Sequence, residues 1–306
     1  MLRGKIGRAP GSLPPQQLPF LDLPFCDRYR AFEMLKSSVP LKNATSSALS
    51  ATGTPLAASA SAPKPVLYSY FDSLFAAYGP QHWWPGRTRF EIIVGAILTQ
   101  NTSWKNVERA IANLRSAKLL SPAAIAKISP ARLAAHLRPS GYFRQKTQTL
   151  KTFVSFLFEK YEGSLNSLFA TPTNVLREQL LALRGIGPET ADSILLYAGD
   201  HPVFVVDAYS RRLLGRHGLL RPGAQGGSRR AYEQIRSLFE SQLPRDPRLF
   251  NEFHALIVRT GKGHCRKTAP LCCSCPLSSF LPASSRPAIA IHAPRSVRCD
   301  RPVTFL

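Results

Sequence analysis

The stretch Leu183-Arg184-Gly185-Ile186-Gly187-Pro188-Glu189-Thr190-Ala191, followed closely by Val205-Val206-Asp207, constrains this chain most. Two glycines around one apolar residue let the backbone turn sharply with its N–H groups facing outward. Pro188 suits the first turn of a helix, where its missing N–H costs nothing. Free amides at such a turn attract a phosphate oxygen. Asp207 ends an apolar run and opens a helical segment that stops near Gly218, so its plainest reading is an N-cap.

The charge of the chain points the same way as the phosphate cradle. Of the net +22, the two ends (residues 1–64 and 283–306) carry +8, which leaves +14 in residues 65–282. The part expected to fold is itself basic, and such a chain most often meets nucleic acid. No run of eighteen apolar residues occurs, so no transmembrane helix and no membrane partner are expected. The basic N-terminus lacks the apolar stretch of a secretory signal. Four of the six cysteines crowd between Cys265 and Cys275, a metal-site distribution, which implies a reducing, cytoplasmic setting beside the nucleoid.

Residues 1–64, with Pro14-Pro15 and the Ser/Ala/Thr-rich run from Asn43 to Ala62, are expected to form a disordered basic arm. From residue 65 apolar residues recur at helical spacing: Leu67, Phe71, Leu74; then Phe90, Ile93, Val94, Ile97; then Val107, Ile111, Leu114. Further helical runs cover 150–161, 175–183, 189–197, 207–217, 232–242 and 249–260. The four residues Val203–Val206 have β-branched bias but are too short to demand a sheet. The fold class expected is all-α. The tail, 283–306, is rich in Pro, Arg and Ala and is expected to be disordered.

At the Gly-x-Gly-Pro turn and its downstream aspartate the chain resembles the helix-hairpin-helix (HhH-GPD) DNA glycosylases, the endonuclease III superfamily. The resemblance covers nearly all of residues 65–280. It implies a two-lobed fold with the active site in the cleft between lobes: an internal helical lobe over about 90–206, and a second lobe from 65–89 plus 207–264. By position Asp207 is then the essential carboxylate, which stabilises an oxocarbenium-like sugar and orients water. Lyase-competent relatives carry a lysine where this chain has Glu189, so a monofunctional enzyme is expected. Glu189 itself reads as a first-turn glutamate that complements the helix dipole. The rival readings are an endonuclease III-like lyase on oxidised pyrimidines and a non-catalytic DNA-binding module.

All three tryptophans lie in His82-Trp83-Trp84-Pro85-Gly86 and Thr99-Gln100-Asn101-Thr102-Ser103-Trp104. Together with Phe90-Glu91, these segments resemble the 3-methyladenine DNA glycosylase III branch, in which aromatics of the two segments sandwich the extruded base. Trp83, Trp84 and Trp104 are the matching rings. An N-alkylated purine is cationic, and an electron-rich ring attracts a cation and stacks on any base. Core packing is the alternative reading of these tryptophans. Gln100, with Asn101 beside it, occupies the place from which the family fills the gap left by the base; local turn capping is its alternative. Arg144 and Lys146, in Gly141-Tyr142-Phe143-Arg144-Gln145-Lys146, resemble the family's Gly-Tyr/Phe-x-x-Lys segment and are expected to meet phosphates, as are the Gly185 and Gly187 amides. The branch has Val-Val-Asp-Lys-Tyr-Ser at the aspartate, and here Ala208 stands for that lysine. The expected partner is duplex DNA bearing damaged bases, bound by a monomer.

Cys265, Cys272 and Cys275 reproduce three ligands of the Cys-x6-Cys-x2-Cys-x5-Cys loop that holds a [4Fe-4S] cluster in many relatives. The fourth place falls on Leu281, which cannot ligate. Cys273 is poorly spaced to substitute, and Cys299 could do so only by folding back. A cluster, zinc on three or four thiols, and a metal-free remnant are all open for residues 265–281.

Overall fold

The computed structural model describes residues 64–83, 86–221, 224 and 226–283. The expected arm, apart from residue 64, and the expected tail, apart from residue 283, lie outside the described residues, as does Cys299. Among the described residues there are twelve α-helices and no strand. None is long and apolar enough to cross a membrane.

Helices α1 (Val66–Tyr78), α2 (Arg89–Leu98) and α3 (Trp104–Ser116) follow the apolar periodicity. Two short helices, α4 (Pro122–Lys127) and α5 (Pro130–Leu137), come next. Their sequence signal is local: in both, a serine caps the first turn and a proline opens the helix. Ser121 accepts from the Ala124 N–H at 3.3 Å and Ser129 from that of Arg132 at 3.5 Å. The long α6 (Phe143–Tyr161) buries Leu150, Phe153, Val154 and Leu157, and α7 (Leu165–Phe169) and α8 (Thr173–Leu181) follow. With α2 to α5 they share a hydrophobic cluster running from Phe90 to Val203. Full burial of one such side chain, Phe153 for example, is worth about 1.5–3 kcal/mol.

Helix α9 (Pro188–Ser193) widens into a π-turn at Ile194–Ala198. Such turns shift side chains out of helical register and are frequent at functional sites. The chain then crosses to a second lobe through Val203–Val206, which is extended and buried but pairs with no strand. Side chains take the place of a ladder: the Phe204 N–H donates to Glu240 Oε1 at 3.1 Å and the Val206 N–H to the Tyr232 hydroxyl at 3.3 Å. Helices α10 (Ala208–Arg216), α11 (Arg229–Gln242) and α12 (Pro247–Gly263) complete this lobe, and α1 packs against α11 and α12. Its core is aromatic. Phe204 stacks on Phe239 at 3.8 Å between centroids, and Phe253 meets Phe71 edge-on at 5.7 Å.

A buried ion cluster joins the lobes. Arg177 on α8 makes a bidentate pair with Asp192 on α9 (2.6 and 3.1 Å) and reaches Glu233 on α11 at 2.7 Å. Arg236 extends the network to Glu233 and Glu240. Because α9 carries the hairpin turn, this network also fixes the cleft's geometry.

Candidate active site

The Gly-x-Gly-Pro turn is built as the residue types require. Gly185 has φ +90°, and a Cβ there would lie 2.1 Å from Thr149 Oγ1 on α6. Only glycine serves both the backbone and the close approach. Gly187 is different: its φ is −91° and a Cβ would meet nothing within 4 Å. Both glycines are exposed, Ile186 between them is buried, and among the described residues the Gly185 and Gly187 amides have no acceptor. Free outward amides on a rigid loop can take a phosphate oxygen.

Beside the turn opens a cleft of about 790 Å³, lined by Trp83, Gln100, Trp104, Glu189, Tyr197, Asp207 and His254 among others. Asp207 is the N-cap of α10 and is buried. Its Oδ1 accepts the Ser210 N–H at 2.8 Å and the Ser210 hydroxyl at 3.0 Å, while Oδ2 lies 3.5 Å from His254 Nε2. Burial works to raise the Asp207 pKa, but the nearby His254 and the Ser210 donors outweigh it and hold the carboxyl below its usual value. Capping and chemistry are therefore compatible here. One oxygen anchors the helix, and the other is directed toward His254 on the cleft wall.

His254, on α12, is a site residue that sequence reasoning missed. Its Nδ1 is 2.6 Å from the Tyr197 hydroxyl, which the π-turn presents. If the tyrosine donates to Nδ1, the remaining proton sits on Nε2, 3.5 Å from Asp207 Oδ2. A lone histidine in the otherwise apolar run Phe253–Val258 carries no local signal of this. Its partners are 57 and 47 residues away.

Glu189 faces the same cleft. Solvent reaches the side chain, yet the surrounding walls and then the charge of Asp207 push its carboxyl up to about 7, against the pull of His254 and Arg211. Trp104 opens α3, packs partly on the first-lobe core and shows its remaining face to the cleft. Trp83 lines the cleft as well; Trp84 lies outside the described residues. Gln100 donates to the Gly185 carbonyl at 3.1 Å and to the Thr190 hydroxyl at 2.9 Å, so it braces the hairpin against α9. Asn101 is exposed beside it with φ +52°.

Arg144 is exposed in the first turn of α6, but the phosphate expectation for Lys146 is corrected. Its side chain is buried, and Nζ donates to the carbonyls of Leu98 at 2.9 Å and Ser140 at 2.6 Å. Burial lowers its pKa to about 8. The aliphatic stem follows the core face of α6, so the ammonium ties α2 to the turn before α6 instead of reaching solvent.

Cys265, Cys272, Cys275 and Leu281 line one small cavity of about 10 Å³, room for a single water. Leu281 is buried in it, and Cys273 is exposed elsewhere. Burial, then Cys265 and Cys272 alongside, pushes the Cys275 thiol up. Among the described residues no group of three or more His, Cys, Asp or Glu side chains is arranged to hold a metal ion. These residues do not complete a four-thiolate cradle for a [4Fe-4S] cluster. Protein contacts hold the loop: Arg212 donates to the Cys265 carbonyl at 2.6 Å, and Arg216 to Cys265 Sγ at 3.2 Å and the Lys267 carbonyl at 3.1 Å. Both arginines lie on α10, the helix that Asp207 caps.

Residues 94–240 match the HhH-GPD superfamily base excision DNA repair protein family. A Methanocaldococcus jannaschii protein named as a DNA repair glycosylase is 45% identical over 217 residues, 70% of this chain and 95% of that protein. Among solved structures, the H. pylori 3-methyladenine DNA glycosylase bound to 1,N6-ethenoadenine is similar with a TM-score of 0.56 and 28% identity, over 64% of this chain and 97% of that one. A non-covalent endonuclease III–DNA complex has a TM-score of 0.59 at 22% identity, over 71% and 94%, a likeness of fold.

Proposed function

The chain belongs to the HhH-GPD superfamily of base excision DNA repair proteins and is a DNA glycosylase, and we propose that it hydrolyses the N-glycosidic bond of an alkylated purine without cutting the strand. One observation carries the reading: an ionised, hydrogen-bonded Asp207 in a cleft walled by Trp83 and Trp104, beside a turn with free amides.

The hairpin amides of Gly185 and Gly187 grip a phosphate next to the lesion, with Arg144 as a further phosphate contact. The target nucleotide is extruded into the cleft, at a cost of a few kcal/mol in lost stacking, least for a damaged base. Trp104 and Trp83 stack on the base, each worth about 1–3 kcal/mol. Gln100 and Asn101, at the rim, face the gap that remains in the duplex. As the C1′–N bond lengthens, positive charge grows on the sugar, and Asp207 stabilises it. An N-alkylated purine already carries the charge that makes it a good leaving group. The H. pylori relative, bound to an etheno-modified adenine, supports a purine-sized pocket. A carboxyl at Glu189 instead of an amine supports hydrolysis over lyase chemistry.

Lys262, exposed and lining the same cleft, favours a second reading in which an amine attacks the sugar. Borohydride trapping separates the two, since only the lyase leaves a covalent protein–DNA adduct. The test of the main reading is Asp207→Asn. Asparagine caps a helix as well as aspartate does, so folding and duplex binding should persist while release of 3-methyladenine falls by about a thousandfold or more. Release at the wild-type rate would remove Asp207 from the mechanism.

A further inference from the structure

Two carboxyl groups share the cleft, and their surroundings differ. Asp207 is committed to Ser210 and His254. Glu189 lines the same cavity, at the second residue of α9, and among the described residues its carboxyl accepts no hydrogen bond and joins no ion pair. Arg211, which acts on Glu189, has other partners: it donates to the Gly226 carbonyl at 3.3 Å and lies over the Tyr232 ring. Solvent reaches this side chain, so the unpaired carboxyl is open to a nucleotide that enters the cleft.

We infer that Glu189 is the proton donor to the departing base, which extends the reaction to lesions that are uncharged, such as deaminated bases. The inference rests on the cleft being a glycosylase site, and not on the lesion being alkylated. A neutral base leaves as a strongly basic anion unless it gains a proton as the bond breaks. In the step proposed, the C1′–N bond breaks with its electron pair staying on the base, while the Glu189 O–H breaks and its proton passes to a base nitrogen or carbonyl oxygen. Water then adds through oxygen to C1′, and its proton passes to the Glu189 carboxylate, which restores the acid. Asp207 remains ionised throughout, and no further reactant is required.

The electrostatics agree with the geometry. Pairs of titratable groups whose surroundings drive their pKa values apart divide acid and base roles. Here Asp207 is held down and Glu189 is raised to about 7. Asp207 at the cap of α10 raises Glu189, while His254 from α12 and Arg211 from α10 lower it. Lys262 and Arg229 also line the cavity, and the buried hydroxyls of Tyr197 and Tyr232 have pKa values well above their ordinary one, so both are uncharged. An extruded base would displace solvent from Glu189 and push its pKa further up.

The experiment is single-turnover base release by the full chain between pH 5 and 9, from duplexes carrying hypoxanthine or uracil, which are neutral, and 3-methyladenine, which is cationic. Wild type should release a neutral base at a rate that falls above about pH 7. Glu189→Gln should lower neutral release about 100-fold more than cationic release and abolish that falling limb. Glu189→Asp, which keeps an acid, should retain the limb, and thermal melting of each variant checks folding. Equal losses on both substrate classes, a limb that survives in Glu189→Gln, or wild-type release of 3-methyladenine alone would overturn the inference. Release of no base at all would overturn the glycosylase reading of the cleft together with it.

Discussion

Asp207 Oδ2 lies 3.5 Å from His254 Nε2, although the two residues belong to different helices and 47 positions separate them. The histidine is held in turn by the Tyr197 hydroxyl, so two buried side chains stand in line behind the carboxylate.

His254 acts as a positioning residue, and its removal should show in the pH profile. Asp207 is ionised above its depressed pKa, and His254 is the largest influence that lowers it. His254→Phe should raise the Asp207 pKa, so the acidic limb of base release moves to higher pH. The Tyr197 hydroxyl also loses its contact with His254, a cost of about 0.5–1.5 kcal/mol in stability. His254→Gln, which keeps a donor, should restore part of the shift. An unchanged acidic limb in His254→Phe would reduce the histidine to packing.

The two hairpin glycines should separate folding from binding. Gly185→Ala combines a φ of +90° with a Cβ 2.1 Å from Thr149 Oγ1, so thermal unfolding should show a loss of about 1–3 kcal/mol. Gly187→Ala meets no neighbour and has an ordinary φ. Its melting temperature should be unchanged, while affinity for duplex DNA falls several-fold in a binding titration. Equal effects of the two variants on stability would contradict the distinct geometries.

Trp104→Ala should impair release of a damaged base about 10- to 100-fold, the equivalent of losing one stacking face. Binding to undamaged duplex should change far less. The same comparison applies to Trp83→Ala. Parallel losses in both assays would return these rings to a packing role.

The thiol loop makes a chemical prediction. Wild-type protein reconstituted anaerobically with iron and sulfide should hold well under the roughly four iron atoms of a cubane, with no visible absorption band. Leu281→Cys adds a thiol to the wall of the same cavity and should raise the iron content. Full iron occupancy in the wild type would show that another residue supplies the fourth ligand.

Much of the first-order layout was legible locally. The periodicity of residues 67–114, the Gly-x-Gly-Pro turn and the cap at Asp207 each depend on neighbours within a few positions. Helices α4 and α5 had readable Ser-Pro starts, although their apolar faces are too short to stand out. Lys146 shows where local reading fails: a basic residue near a helix start looks like a phosphate contact, and its burial against Leu98 and Ser140 comes from the packing of α2 and α6.

The amino-acid order alone settled which segments turn, cap and coil, because those choices follow from backbone freedom, hydrogen bonds within a turn and hydrophobic period. It also named a carboxylate and a set of aromatic rings. Tertiary structure decided which of these meet: it placed His254 and Tyr197 behind Asp207, turned Glu189 into the same cleft and set Leu281 among three thiols. Desolvation and charge coupling depend on distance in space, and a linear sequence does not carry that distance.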